Sequence, residues 1–203
     1  VEIFGNDVEI LAGEQTIKEG FDDIVYELMP KAFYQLNPSQ AVKMYKYVKS
    51  QIKDIENKTI IDAYCGAGAM TLYLAKYAKE VVGIDLSKDS IDSANQNAKL
   101  NKMNNVKFKL GKVETVLPRL YDQSKVPDVL VVDPPRKGLD YKTIDVLNRK
   151  VLDTLVYVSC NPSTLAKNIK ALSRKYRVES VTPFDMFPHT SHIESVTILK
   201  GRK

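Results

Sequence analysis

The stretch TIIDAYCGAGAMTLYLAKYAKEVVGID, residues 59–85, contains a strand, a glycine loop, a helix and a second strand. The apolar run Thr59 to Tyr64 predicts a buried strand, and residues 70–79 place apolar side chains on one helical face. The run Val81 to Asp85 predicts the next strand. Two strands joined through a helix normally form a parallel pair, so this stretch predicts an α/β fold.

The alternation continues along the chain. Further predicted strands are Val106 to Leu110, Val129 to Val132 and Leu155 to Ser159, and further helices are Lys88 to Asn101, Val113 to Tyr121, Tyr141 to Lys150 and Pro162 to Tyr176. After the last helix, the runs Arg177 to Thr182 and Glu194 to Lys200 are joined by an irregular segment, which predicts an antiparallel pair. We therefore expect a Rossmann-like, mostly parallel seven-stranded sheet with an antiparallel pair at one edge.

Residues 1–58 follow a different pattern. Two strand-like runs, DVEILAG (7–13) and DIVYELM (23–29), precede an amphipathic helix, whose apolar residues are Ala41, Tyr45, Val48, Ile52 and Ile55. We interpret this region as a β/α extension packed against the main sheet. The predicted division is an N-terminal extension, residues 1–58, and a main domain, residues 59–203.

Composition limits the classes of protein. The 203 residues are 44% apolar, enough for one domain with a sizeable core. Two cysteines with no C-x-x-C spacing predict neither a disulfide framework nor a metal site, and no apolar run is long enough to span a membrane. We expect a cytoplasmic protein. The net charge of +5 favours an anionic partner such as nucleic acid, although solvated charged faces would give the same charge.

The loop Asp62 to Gly68 has the pattern D-x-x-x-G-x-G. Gly66 and Gly68 let the backbone approach a ligand closely, and Asp85, about 20 residues further on, can bond ribose hydroxyls. A nicotinamide-binding loop would have a third glycine where this sequence has Thr71, so an oxidoreductase is disfavoured. The pattern is typical of S-adenosylmethionine-dependent methyltransferases. Both acids could instead serve as turn or capping residues.

The fourth strand of the main domain is followed by DPPRKG, residues 133–138. The two prolines fix the backbone and hold Asp133 rigidly at the end of the strand. This resembles the D/N-P-P motif of nucleic-acid methyltransferases. Enzymes that methylate amino groups carry an aromatic residue after the prolines, whereas this chain has Arg136, so methylation of an exocyclic amine is disfavoured.

Cys160 follows the fifth strand, in the sequence SCNP (159–162). A small buried residue would explain it, but the start of the next helix can lower a thiol pKa. A thiolate that adds to carbon 6 of a pyrimidine makes carbon 5 nucleophilic, and a base must then remove the carbon 5 proton. Candidates for the base are Glu194, His189 and His192. Cytosine-5 enzymes carry a Pro-Cys after strand four, which is absent here, and H-x-x-H without other ligands disfavours zinc.

Six motifs, in order, resemble those of the RNA uracil-5-methyltransferase family: FYQLNP, DAYCGAG, GID, DPPRKGLD, VYVSCNPSTLAKNI and DMFPHTSHIESV. The resemblance implies a class I methyltransferase fold, with Cys160 as nucleophile and Glu194 as base. It also implies that Gln35, Tyr64, Asp85 and Asp133 contact S-adenosylmethionine. To these cofactor residues we add Asp62, Gly66 and Gly68 from the loop. For the RNA substrate we expect contacts from Asp133, Arg136 and His189.

The resemblance also carries expectations about substrate and partners. We expect methylation of carbon 5 of a uridine in 23S ribosomal RNA; the alternatives are a transfer RNA enzyme and an inactive RNA-binding fragment. We expect S-adenosylhomocysteine as product, no metal, no iron–sulfur cluster, no membrane and a monomer. Family members usually carry an N-terminal oligonucleotide-binding β-barrel, which we expect in the full-length protein. Asp85 stands where the family more usually has glutamate, so a shorter side chain would reach the ribose.

Overall fold

A twisted seven-stranded sheet covered by helices dominates the computed structural model, which describes residues 8–30, 35–123 and 125–202. The strands are β1 (Ile17–Phe21), β2 (Ile24–Leu28), β3 (Thr59–Ala63), β4 (Glu80–Asp85), β5 (Val106–Leu110), β6 (Val129–Val132), β7 (Thr154–Ser159), β8 (Tyr176–Phe184) and β9 (Glu194–Gly201). The helices are α1 (Pro38–Ser50), α2 (Ala69–Ala75), α3 (Lys88–Leu100), α4 (Val113–Asp122), α5 (Tyr141–Arg149) and α6 (Pro162–Leu172), with a short 3-10 turn at Ile55–Asn57.

The sheet has the strand order β5-β4-β3-β6-β7-β9-β8. Strands β3 to β7 run parallel, whereas β9 is antiparallel to both β7 and β8. This confirms the predicted α/β fold with an antiparallel pair at one edge. Because β9 runs antiparallel to β7, the beginning of β9 meets the carboxyl end of β7, where Cys160 follows.

Alternation along the strands builds a core on each face of the sheet. In β6, Val129 and Val131 join one cluster, while Leu130 and Val132 join the other. All four residues of β6 are buried, as expected for a central strand covered on both faces. The first cluster also contains residues of β2, α1 and α2, so the N-terminal segment packs on that face of the sheet.

Two predicted helices end earlier than expected. The second helix stops at Ala75 rather than Lys79, and the sixth stops at Leu172 rather than Tyr176. Tyr176 instead begins β8, where its buried hydroxyl accepts a hydrogen bond from the backbone N–H of Leu152 at 2.9 Å. Tyr176 is therefore held in the sheet by a contact with a distant part of the chain.

The first predicted strand is wrong. Residues 8–13 form no strand, and Leu11 is 88% exposed; Asp7 and residues 31–34 lie outside the described residues. The first strand is β1, which pairs with β2 across a turn in which Asp22 has a positive φ of 51°. Strand β1 is almost fully exposed, so it lacks the apolar alternation that a strand prediction needs.

The run 23–29 does contain β2, which confirms that prediction. The predicted amphipathic helix corresponds to α1, although Ile52 and Ile55 lie beyond its end. Both isoleucines are nevertheless buried in the first cluster.

Candidate active site at the carboxyl end of the sheet

Five ionisable side chains belong to the same face at the carboxyl end of the sheet. Residues two apart in a strand share a face, and the first core cluster contains Ile60, Val81, Val131, Val158 and Val196. Asp62, Asp133, Cys160 and Glu194 each lie two residues from one of these side chains, and Asp85 lies four residues after Val81. Strand alternation therefore places these acids and the thiol on the face that also carries β2, α1 and α2.

A cavity of about 680 Å³ lies at this edge. Eight of the eleven predicted site residues line it: Gln35, Tyr64, Gly66, Asp85, Asp133, Arg136, Cys160 and Glu194. Three do not. Asp62 lines a smaller adjoining cavity of about 30 Å³, Gly68 is the N-cap residue of α2, and His189 is exposed.

The pairing register of β7 with β9 places the Cys160 thiol close to the Glu194 carboxyl. Ser159 pairs with Ser195 in this antiparallel ladder, and the Ser195 hydroxyl donates to the Ser159 carbonyl at 3.2 Å. Cys160 and Glu194 each lie one residue beyond that pair. Because residues directly opposite in an antiparallel pair present their side chains on the same face, the two groups approach each other although 34 residues separate them in sequence.

The carboxyl group of Glu194 is buried from solvent. It is 5% exposed, and its Oε1 has no hydrogen-bond partner among the described residues. Burial raises its pKa to about 8, and the nearby charge of Asp133 adds to this effect. A carboxyl group with such a pKa can hold or accept a proton near neutral pH.

The thiol of Cys160 differs from the prediction. Burial raises its pKa, Glu194 and Asp133 raise it further, and Arg136 opposes them. The sequence predicts instead that the start of α6 lowers this pKa. The pKa rises because partial desolvation and two neighbouring acids disfavour the thiolate.

The neighbours of Cys160 are held firmly. The backbone N–H of Asn161 donates to the Ser159 hydroxyl at 3.1 Å. The Asn161 side chain then caps α6 by accepting from the backbone N–H groups of Ser163 and Thr164. Side chains on both sides of Cys160 thus fix the backbone that carries the thiol.

The glycine loop between β3 and α2 is tied to β4. Gly66 and Gly68 both have positive φ, 55° and 85°. The Asp85 carboxylate accepts hydrogen bonds from the backbone N–H groups of Gly66 at 2.9 Å and Ser87 at 2.8 Å. Asp85 therefore joins two loops at the cavity wall, in addition to its predicted role toward a ribose.

Asp62 is buried, with 2% of its surface exposed, and accepts a 2.5 Å hydrogen bond from the Thr71 hydroxyl. Burial raises its pKa to about 7, although the Thr71 bond opposes the shift. Thr71 occupies the position at which a nicotinamide-binding loop would have its third glycine. Thr71 thus connects α2 to the end of β3.

The loop after β6 is held by α6. The carbonyl oxygen of Arg136 accepts from the Asn161 side-chain amide at 3.2 Å and from the Thr164 hydroxyl at 3.0 Å. Asp133 and the backbone of this loop line the cavity, and burial raises the Asp133 pKa to about 7. The same helix start therefore positions both the Asp133 loop and Cys160.

Several cavity residues are not among the predicted site residues: Ser87, Ser90, Phe187 and Ile193, together with His192, which the sequence offers only as an alternative base. Phe187 and His192 belong to the motif quoted above, and their rings meet edge to face with centroids 6.2 Å apart. His192, rather than His189, lines the cavity. The segment between β8 and β9 is irregular, so no periodicity could have shown which histidine faces inward. Ser87 could have been found as the capping residue after β4.

No cluster of three or more potential metal-binding side chains occurs within residues 8–30, 35–123 and 125–202. In the same part of the chain, no helix is long and apolar enough to cross a membrane.

Comparison with known sequences identifies relatives of this chain. The sequence profile of the family described as tRNA (uracil-5-)-methyltransferase matches residues 10–202. An uncharacterised RNA methyltransferase from Halalkalibacterium halodurans is 44% identical over 198 residues, which are 97% of this chain and 43% of that protein. A similar protein from Bacillus cereus is 45% identical over 197 residues, with the same coverage of both proteins. The chain thus spans less than half the length of these curated relatives.

Solved structures agree with this relationship. The Pyrococcus abyssi tRNA (uracil-54, C5)-methyltransferase, in complex with S-adenosyl-L-homocysteine, is 36% identical with a TM-score of 0.82, covering 93% of this chain and 45% of that one. Trm5b from the same organism, at 16% identity and a TM-score of 0.67 over 95% of this chain and 58% of its own, shows the fold alone. The fold is the Rossmann-like methyltransferase fold expected from the sequence. The chain belongs to the tRNA (uracil-5-)-methyltransferase family.

Proposed function

We propose that this chain transfers a methyl group from S-adenosylmethionine to carbon 5 of a uridine in RNA, with Cys160 as the covalent nucleophile. The observation that carries the proposal is the convergence of Cys160 and Glu194 on one cavity, next to Asp133. A sulfur nucleophile and a carboxyl base at one site are what methylation of uracil carbon 5 requires.

The cavity suits the cofactor. Its volume of about 680 Å³ lies within the range of small-molecule sites. The Gly66 backbone and the Asp85 carboxylate, placed at its wall, offer close approach and an acceptor for ribose hydroxyls. The Pyrococcus abyssi relative binds S-adenosyl-L-homocysteine. When bound, S-adenosylmethionine supplies an electrophilic methyl group.

The residues of the chain then act on the uracil in a fixed order. Cys160 gives up its thiol proton to water, and its sulfur bonds to carbon 6, which moves electrons onto the O4 oxygen and makes carbon 5 nucleophilic. After carbon 5 has gained the methyl group, Glu194 takes the carbon 5 proton. The double bond between carbons 5 and 6 re-forms, and the bond from carbon 6 to sulfur breaks.

The raised pKa values fit this order. Glu194 and Asp133 hold the pKa of Cys160 up, so a thiolate and a carboxylate oppose each other in the free site. Bond formation between sulfur and carbon 6 removes the charge from sulfur. The adduct therefore lacks the thiolate charge that would oppose a carboxylate at Glu194.

A covalent trap tests the proposal. RNA containing 5-fluorouridine has no carbon 5 proton to remove, so wild-type protein with S-adenosylmethionine should accumulate a protein–RNA adduct on denaturing gels. Cys160→Ala should form none. Glu194→Gln should accumulate an adduct on ordinary uridine, because it binds but cannot remove the proton. An adduct that persists in Cys160→Ala would contradict the covalent route. So would the absence of any adduct in both the wild type and Glu194→Gln.

The choice of RNA is tested in the same assay. The predicted substrate is 23S ribosomal RNA, whereas the family description and the Pyrococcus abyssi relative name transfer RNA. Parallel reactions with a 23S fragment and with transfer RNA compare the two directly. We also propose that residues 59–203 form the catalytic domain and residues 1–58 its N-terminal extension. That an RNA-binding β-barrel completes the full-length protein, and that it is a monomer, stay predictions.

A further inference from the structure

The side chain of Asn97 connects three separate elements. It lies in α3 and is 0% exposed. Its Oδ1 accepts a hydrogen bond from the Glu27 backbone N–H in β2 at 2.7 Å, and its Nδ2 donates to the Ala67 carbonyl in the glycine loop at 3.3 Å. A buried amide retains both bonds because leaving either group without a partner would be costly.

Asn101, one turn further along α3, binds the same strand but not the loop. Its Oδ1 accepts from the Val25 backbone N–H at 3.0 Å, and its Nδ2 donates to the Val25 carbonyl at 2.7 Å. Val25 and Glu27 are two residues apart, so their backbone groups point to the same edge of β2. The two asparagines thus satisfy the free edge of β2, as a further strand would.

The β1–β2 hairpin makes a second contact with the beginning of α2. The Tyr26 hydroxyl donates to the Ala69 carbonyl at 3.1 Å, and Tyr26 is fully buried. Ala67 and Ala69 are the neighbours of Gly68, which has a φ of 85°. Hydrogen bonds from Asn97 and Tyr26 therefore fix the carbonyls of the residues on both sides of the flexible glycine.

We propose that Asn97 is a positioning residue for the cofactor, and that through it the N-terminal hairpin sets the shape of the glycine loop. This inference rests on the proposed binding of S-adenosylmethionine at that loop. A loop with two glycines loses much conformational freedom when it binds a ligand, and a loop held beforehand loses less. The hairpin is then a structural part of the cofactor site.

Asn97→Ala and Asn101→Ala form a matched pair for the test. Both remove an amide that holds β2, but only Asn97→Ala also releases the Ala67 carbonyl. We expect Asn97→Ala to weaken S-adenosylhomocysteine binding, measured by titration calorimetry, by about tenfold, as the loss of about one hydrogen bond would do. Asn101→Ala should bind S-adenosylhomocysteine with an affinity within about twofold of wild type. Its melting temperature should fall by about as much as that of Asn97→Ala.

Equal affinity for the two variants, or no loss in Asn97→Ala, would overturn the inference. If either asparagine variant fails to fold, Tyr26→Phe decides, since it keeps the ring and removes the bond to Ala69. We expect a loss of affinity of about threefold in Tyr26→Phe, and unchanged affinity would overturn the inference. A wild-type chain that binds S-adenosylhomocysteine but forms no 5-fluorouridine adduct would contradict only the proposed methyl transfer.

Discussion

Glu194 shows how one residue combines a structural cost with a chemical use. Its carboxyl is buried at the beginning of β9, and its Oε1 lacks a partner among the described residues. A charged group in such a place is destabilising, so the folded protein retains the proton to a higher pH. The cost of this burial allows a carboxyl group to work as a base close to neutral pH.

Replacement of Glu194 should change how stability depends on pH. The folded pKa of about 8 exceeds the ordinary value of 4.5, so between these values the folded state holds a proton that the unfolded state has released. Stability from this group is complete below pH 4.5 and is lost as pH rises through 8. The unfolding free energy of the wild type should fall between pH 5 and pH 8. We expect that fall to be smaller in Glu194→Gln by about 1–3 kcal/mol, measured by urea unfolding.

The slope with pH, rather than the stability at one pH, is the relevant measurement, because the new amide has its own pH-independent cost. Glu56→Gln, at an exposed position, serves as the control and should keep the wild-type slope. A slope in Glu194→Gln equal to that of wild type would show that Glu194 is charged in the folded protein.

Arg136 influences the reactivity of Cys160. Its positive charge lowers the thiol pKa, against burial and two acids that raise it. We expect Arg136→Gln to raise the pKa of Cys160 further and to shift the pH profile of its reaction with iodoacetamide to higher pH, followed by peptide mass spectrometry. Lys137→Gln, the exposed neighbour, should leave that profile unchanged. Identical profiles for wild type and Arg136→Gln would contradict the effect.

At the scale of elements, α6 organises two walls of the site. Its first turn holds the Arg136 carbonyl, and Asn168 in the same helix accepts hydrogen bonds from the Leu139 backbone N–H at 2.9 Å and the Tyr157 hydroxyl at 2.7 Å. The loop from β6 is thus attached to the helix at both ends. Because Cys160 immediately precedes this helix, displacing the loop would also disturb the nucleophile.

Gly138, in that loop, packs closely against α6. It has a φ of 78°, and a β-carbon there would lie 2.4 Å from Asn168 Oδ1 and 2.5 Å from Thr164 Cγ2. We expect Gly138→Ala to lower the unfolding free energy by about 3 kcal/mol, because backbone strain and overlap add. Gly13→Ala is the control, since Gly13 has a similar φ of 85° with nothing within 4 Å, and should cost only about 1 kcal/mol. Equal losses of unfolding free energy in Gly138→Ala and Gly13→Ala, by thermal or urea unfolding, would show that the loop rearranges without strain.

At the scale of the whole molecule, the N-terminal segment and the main sheet share one core. The first cluster joins Ile24 and Tyr26 of β2 and Met44 of α1 to Leu72 of α2 and Val158 of β7. A continuous apolar core implies cooperative unfolding of everything that contributes to it. The parts of the proposed extension that join this core, β2 and α1, should then unfold together with the main sheet.

Hydrogen exchange measures that cooperativity. We expect the protected amides of β2 to exchange with an opening free energy within about 1 kcal/mol of those in β3, because both depend on the same core. Strand β5, at the edge of the sheet, provides the internal comparison for local opening. Exchange from β2 at a much lower free energy than from β3 would show that the hairpin opens independently.

Local sequence patterns were sufficient for the alternating strands and helices and for the glycine loop, since strand and helix periodicities and turn residues act over a few positions. Strand β1, with its exposed polar residues, carried no such pattern. The tertiary structure alone decided that His192 lines the cavity and that the pKa of Cys160 rises. It also decided, through the register of β7 against β9, that Cys160 and Glu194 meet. These outcomes depend on pairing and desolvation by residues far apart in the chain, which no local period records.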